Sequence, residues 1–187
     1  IVEYCEAMNN GWDMPREGNG PVGIWAYQSD SIIIQYCYAH DNKTSEKGKD
    51  GGGFDLDGGI TNSVVQHNYS ANNEGAGYGL FQYYGATVWK NNIIRNNISY
   101  NDGHKNGQAG FLMWIANGSP EPISDCRIYE NTVVNCYGHA VSFEPGDYSR
   151  FEFQNNTFVL TGQADSFVNG NFTGATFSGN KIYVTNR

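Results

Sequence analysis

The sequence predicts an all-β solenoid, a stack of parallel coils with little or no helix, and three observations carry that expectation. The first is composition: Leu occurs four times among 187 residues against 24 Val plus Ile, while Gly reaches 24 and Tyr 13. Helices draw on Leu, Ala, Glu and Lys; strands and their turns draw on β-branched and aromatic residues, Gly and Asn. A helical protein is excluded. The second is an internal repeat, and the third is a further column of strand-like segments that keeps the same phase.

The repeat is an apolar residue, two positions, then Asn or Cys, followed by a short polar–apolar run. It reads VEYCEAMNN at 2–10, IQYCYAHDN at 34–42, VQHNYSANN at 65–73 and IRNNISYND at 94–102. It continues as IYENTVVNC at 128–136, FQNNTFVLT at 153–161 and FSGNKIYVT at 177–185. The fourth positions are Cys5, Cys37, Asn68, Asn97, Asn131, Asn156 and Asn180, at successive gaps of 32, 31, 29, 34, 25 and 24 residues. The second column lies between these copies: GIWAY at 23–27, GFDLD at 53–57, GLFQY at 79–83, GFLMW at 110–114 and AVSFE at 140–144, with a weaker SFVNG at 166–170. One period of roughly 24–34 residues therefore holds at least two strands and a turn.

A coil of this kind cannot bury its inward side chains alone. Stacked at about 4.8 Å, the spacing of paired strands, the coils share one core. An Asn repeated at one position of every coil can bond the coil above and the coil below through its amide. The Asn column, the coil length and the Gly-aliphatic strand resemble the right-handed parallel β-helix superfamily that includes pectate lyases and polygalacturonases, and the resemblance spans nearly the whole chain. It implies a right-handed parallel β-helix of about seven coils, forming a single domain over 1–187.

Composition also limits function. A net charge of −8 argues against a nucleic-acid partner, since phosphate contacts need a basic face. No apolar run approaches a membrane span; stretches such as Ile32–Ile34 are strand-sized. Four Cys are too few for a disulfide scaffold, and no C-x-x-C pair is present. Cys5 and Cys37 occupy equivalent positions in adjacent coils, within reach of a disulfide or as small buried replacements for Asn. Cys126 and Cys136 bracket a strand and suggest no chemistry. The chain opens at Ile1, without an initiator Met and inside what reads as a strand, and neither end shows an amphipathic capping helix. The expectation is a piece of a longer solenoid or multidomain protein, whose neighbouring coils or domains cover the ends.

If Ile24, Phe54, Leu80, Phe111, Val141 and Phe167 point inward, alternation turns the first and third residues after each of them outward. One outward file then reads Trp25, Asp55, Phe81, Leu112, Ser142 and Val168; the other reads Tyr27, Asp57, Tyr83, Trp114 and Glu144. Exposed aromatics punctuated by carboxylates suit sugar rings, whose C–H faces stack while their hydroxyls hydrogen-bond; cover by loops or a neighbouring domain is the other reading. Long turns at 10–22, 42–52 and 102–109 lead into this strand and one at 115–125 leaves it, walling a groove over Asp55, Asp57, Tyr83 and Trp114.

The densest site signal is KDGGGFDLDGG at 49–59. Asp55 and Asp57 share one strand face about 7 Å apart, a separation that suits the acid and base of an inverting glycosidase. Like charges so placed raise one pKa, as a general acid needs. The resemblance to polygalacturonases implies clustered Asp on this kind of strand, although their paired-Asp and Gly-His motifs are absent. A second reading takes Asp50, Asp55 and Asp57 as hard oxygen ligands for calcium in a pectate-lyase-like elimination, with Lys49, Lys105, Arg16 or His104 as base. A third leaves the two Asp as a solvated strand face. Trp25, Tyr27, Phe81, Tyr83 and Trp114 would form the sugar platform, with Arg16 and Lys49 beside them. Glu144 would serve a neighbouring subsite. His139 falls near the groove edge, and His40 and His67 read as structural. Sequons at Asn68 and Asn97 fall in the inward column and could not carry a glycan. The expected function is an extracytoplasmic module, secreted, periplasmic or at the cell surface, that hydrolyses a polysaccharide or oligosaccharide without a cofactor. A calcium-dependent polysaccharide lyase and a non-catalytic glycan-binding or adhesin-type solenoid are the alternatives.

Overall fold

The computed structural model describes residues 1–187 apart from 13, 15, 16, 19, 46, 47, 49, 118, 120, 121, 163–165, 186 and 187. The first coil contributes β1 (Val2–Glu3), β2 (Glu6–Met8) and β3 (Ile24–Ala26), and the second β4 (Ile33–Gln35), β5 (Tyr38–His40) and β6 (Phe54–Leu56). The third supplies β7 (Val64–Gln66), β8 (Tyr69–Ala71) and β9 (Tyr78–Gln82), and the fourth β10 (Trp89–Arg95), β11 (Ile98–Tyr100) and β12 (Phe111–Ile115). Then come β13 (Ile123–Tyr129), β14 (Thr132–Asn135) and β15 (Val141–Phe143), followed by β16 (Tyr148–Gln154), β17 (Thr157–Leu160) and β18 (Val168–Gly170). The last strands are β19 (Ala175–Ser178) and β20 (Lys181–Val184). Every third strand pairs in parallel, giving a first sheet β1-β4-β7-β10-β13-β16-β19, a second β2-β5-β8-β11-β14-β17-β20 and a third β18-β15-β12-β9-β6-β3. This is a three-sided parallel β-helix. Among the described residues no helix is long and apolar enough to cross a membrane.

The coil turns its corners through left-handed residues. Between the first and second sheets each coil spends two residues, and the first of the two has positive φ: Tyr4, Tyr36, His67, Asn96, Glu130, Asn155 and Gly179, all between 53° and 64°. The second is the repeat position. Asn68, Asn97, Asn131, Asn156 and Asn180 each accept on Oδ1 the backbone N–H of the equivalent residue one coil earlier, at 2.9–3.0 Å. Each Nδ2 in turn donates to a carbonyl of the preceding coil, from Ile34 O for Asn68 to Phe153 O for Asn180. A left-handed non-glycine residue costs about 1 kcal/mol, and these bonds offset it.

A second file, at the ninth position of the repeat, went unrecognised in the sequence. Asn10, Asn42 and Asn73 donate their backbone N–H to Asn42 Oδ1, Asn73 Oδ1 and Asp102 Oδ1 at 3.0–3.1 Å. Left-handed Asn9, Asp41, Asn72 and Asn101 precede them. Asp102 stands where Asn stands in the three preceding coils. Its Oδ2 accepts from Ser99 Oγ at 2.7 Å, and burial lifts its pKa to about 6 against the lowering effect of these bonds.

Inside, Phe54, Tyr78 and Phe111 stack along the axis with centroids 5.2 and 5.3 Å apart, and the Trp89 indole donates to Leu56 O. This stack corrects the register of the third sheet in two places. Tyr78, not Leu80, lies opposite Phe54 and Phe111, so the third coil slips by two residues and Gly79 falls beside Asp55. The slip is even, so Phe81 keeps its outward direction. In the sixth coil Val168, not Phe167, pairs with Val141, while Phe167 stacks on Phe158. All four cysteines are free thiols, Cys37 and Cys126 buried. His40 bonds Asp41 and Glu6, and His67 stacks on Tyr36.

Because Asp102 has a raised folded pKa, its protonated form stabilises the fold, and that stability is lost as pH rises from the ordinary carboxylate value of 3.8 through about 6. The full shift corresponds to about 3 kcal/mol. Thermal melts should show Asp102→Asn and the wild type alike near pH 3.5, with the variant the more stable at pH 7.5.

Candidate functional site

The third sheet and the loops entering it enclose a cleft of about 770 Å³. Gly20, Pro21 and Val22 form one wall. Asp50, Asp55 and Asp57 lie on it together with the side chains of Trp25, Phe81, Tyr83, Leu112 and Trp114. The sequence places an exposed aromatic stripe here, and the structure divides it. Trp25 and Tyr27 are 51% and 53% exposed and stack on each other at 5.2 Å, with Trp25 on the cleft and Tyr27 outside its lining. Phe81 and Leu112 are 8% and 1% exposed, packed with Ala76 and Trp114 into a small apolar cluster on the outside of the sheet. Phe81 meets Trp114 edge-to-face at 6.0 Å.

Two glycines make this packing possible. Asp55 sits on β6 opposite Gly79, and the Phe81 ring folds back into the space a side chain at 79 would fill: a Cβ there would lie 2.6 Å from Phe81 Cζ. The Tyr83 ring lies in the same way over Gly58, beside Asp57. The Phe81 ring thus screens Asp55, which is 5% exposed, from bulk solvent. Burial, and then the charges of Asp57 and Asp50, push the Asp55 carboxyl well above the usual carboxylate range. Burial raises Asp57 too, and a bond from the Gly58 N–H at 2.8 Å offsets part of that rise. Asp55 Oδ1 is buried and has no hydrogen-bond partner among the described residues. The two carboxyls share a cleft and differ in environment, the arrangement that separates an acid from a base.

The other candidates lie elsewhere. Lys105 is held by Glu74 Oε2 at 3.2 Å and Thr44 O at 3.1 Å. His104 tilts against Tyr137 at 5.2 Å, in a separate hollow with Trp12 and Lys43. Glu144 follows β15 in the coil beyond Trp114, about 14 Å from Asp57 at one strand spacing per coil, and does not line the cleft. His139 Nδ1 lies 2.8 Å from Ser166 O. Arg16 and Lys49 lie outside the described residues. Asp50, Asp55 and Asp57 all face the cleft, yet among the described residues no three His, Cys, Asp or Glu side chains converge to hold a metal ion. Sequence reasoning missed Gln108, in the loop before β12, which lines a small gap adjoining the cleft.

Residues 51–182 match the right handed beta helix region, and the chain belongs to that family. Lacto-N-biosidase of Bifidobacterium longum subsp. longum, a glycoside hydrolase, is 28% identical over 172 residues, which cover 89% of this chain and 10% of that protein. The chain therefore spans about a tenth of the length of this curated relative. No solved structure matches it.

Two outcomes follow from the packing around Asp55. Its raised folded pKa means that stability is present below the ordinary carboxylate value and lost as pH rises. Asp55→Asn should therefore melt a few degrees above the wild type at pH 7, with the gap closing toward pH 3. Gly79→Ala displaces the Phe81 ring and lets water in, so the Asp55 carboxyl, followed by carbon-13 NMR, should titrate at lower pH.

Proposed function

We propose that this chain is a carbohydrate-active module that hydrolyses a glycosidic bond in an oligosaccharide or polysaccharide. The observation that carries this is the pair Asp55 and Asp57, two carboxyls of unequal burial on one cleft with aromatic walls. Asp55, which holds its proton to higher pH, is the general acid and delivers that proton to the glycosidic oxygen as the bond to the anomeric carbon breaks. Asp57, the more solvated, takes a proton from the water whose oxygen forms the new bond to that carbon. Alternate residues on a strand lie about 7 Å apart, within the spacing that admits this water and inverts the anomeric centre. Trp25, Tyr83 and Trp114 offer stacking faces to the sugar rings, and Phe81 keeps the acid dry. Likeness to part of a lacto-N-biosidase supports the substrate class. A glycan substrate implies a secreted, periplasmic or surface location.

The test is an array of oligosaccharides and polysaccharides, with and without calcium, read for reducing ends and near-ultraviolet absorbance together. Reducing ends without absorbance, insensitive to chelator, are expected. Asp55→Asn and Asp57→Asn should each lower turnover about 10²–10⁴-fold while glycan binding persists. Unchanged turnover in either variant removes that residue from the chemistry. Calcium-dependent absorbance would make the protein a lyase, and binding without turnover a recognition module.

A further inference from the structure

Adjoining the cleft, between Phe81 and Gln108, lies a small gap of about 10 Å³. It is lined by Asp50, Asp55, Ala76, Gly79, Phe81 and Gln108 among others. Its size is that of one water molecule. Two residues that line this gap each carry a buried polar atom with no hydrogen-bond partner among the described residues: Asp55 Oδ1 and Gln108 Nε2. The Gln108 amide is oriented by its other end, since Oε1 accepts the Ala76 backbone N–H at 2.9 Å. Nε2 is therefore a fixed donor, and Asp55 Oδ1 an acceptor. A buried polar atom left unpaired costs about 1–3 kcal/mol, so a donor and an acceptor sharing a water-sized gap define a water site.

We propose that Gln108 is a positioning residue for Asp55, holding a single internal water that accepts from Gln108 Nε2 and donates to Asp55 Oδ1. The water pins the carboxyl plane and engages Oδ1, so the acid proton is carried on Oδ2, toward the cleft. The catalytic consequence rests on the hydrolase reading above; the water site does not. Gln108 reaches the acid from the coil after next in the third sheet, on a loop braced by Lys105 and Glu74. Asp50 also borders the gap and Asp57 lies beside it in the cleft, so both charges act on the same carboxyl.

A crystal structure of the wild-type chain at about 1.5 Å resolution should show one ordered water about 2.6–3.2 Å from both atoms. A dry gap overturns the proposal and leaves the hydrolase reading intact. In Gln108→Met the water should be lost. Gln108→Glu, which keeps an acceptor for Ala76, serves as the folding control, and melts of both variants check integrity. On a cleaved glycan, Gln108→Met should lower kcat about tenfold with KM little changed. It should also move the alkaline limb of the pH profile upward by about half a unit or more, because the ionised acid loses a donor. Reduced turnover with an unmoved limb would make Gln108 a structural residue only. If no glycan is cleaved, carbon-13 titration of Asp55 gives the same reading: an upward move in Gln108→Met supports the proposal and no move overturns it.

Discussion

Everything in this molecule hangs on the corner between its first and second sheets, where a left-handed residue and a buried amide turn the chain in two residues. The amide does two jobs. Its oxygen takes up a backbone N–H that the bend has removed from any sheet, and its nitrogen satisfies a carbonyl of the neighbouring coil. A corner built from apolar residues would leave two buried backbone groups per coil unpaired, each costing about 1–3 kcal/mol. With the corner fixed, strand alternation decides which side chains enter the core, and the Phe54–Tyr78–Phe111 stack follows from parallel registration.

That registration also makes the cleft. Gly79 faces outward beside Asp55, and the absent side chain lets Phe81 fold back against the acid. Burial of one carboxyl and partial solvation of the other are consequences of packing, set by the residue one coil away rather than by the acidic pair itself. Asp102 shows the same physics without a cleft: a carboxyl substituted into an amide file, protonated more readily because it is dry.

The solenoid was legible because its signals are periodic. Asn68, Asn97, Asn131, Asn156 and Asn180 recur at one position, and the two-residue alternation of a strand correctly turned Asp55, Asp57, Phe81 and Trp114 outward. A slip of two residues leaves alternation untouched, which is why pairing Leu80 with Phe54 looked sound and concealed Gly79. The file through Asn10, Asn42 and Asn73 was harder to see because Asp102 and then Cys136 break the ninth position. Depth was not legible at all. Whether Asp55 is wet or dry depends on Phe81 and on loop residues 20–22 closing over it, and no local pattern encodes a loop's landing place. Gln108 was invisible for the same reason.

The three corners differ in how much chain they tolerate. Between the first and second sheets every coil spends the same two residues, while the connection from the second sheet to the third runs from 9–23 in the first coil to 136–140 in the fifth. Length variation is thus greatest at one edge of the prism, where it changes the walls and depth of the cleft without disturbing a bond in the first corner. The body behaves as a rail of constant gauge and the loops as fittings mounted on it. Selection for a new ligand can act on the fittings alone, and the rail carries no memory of the change.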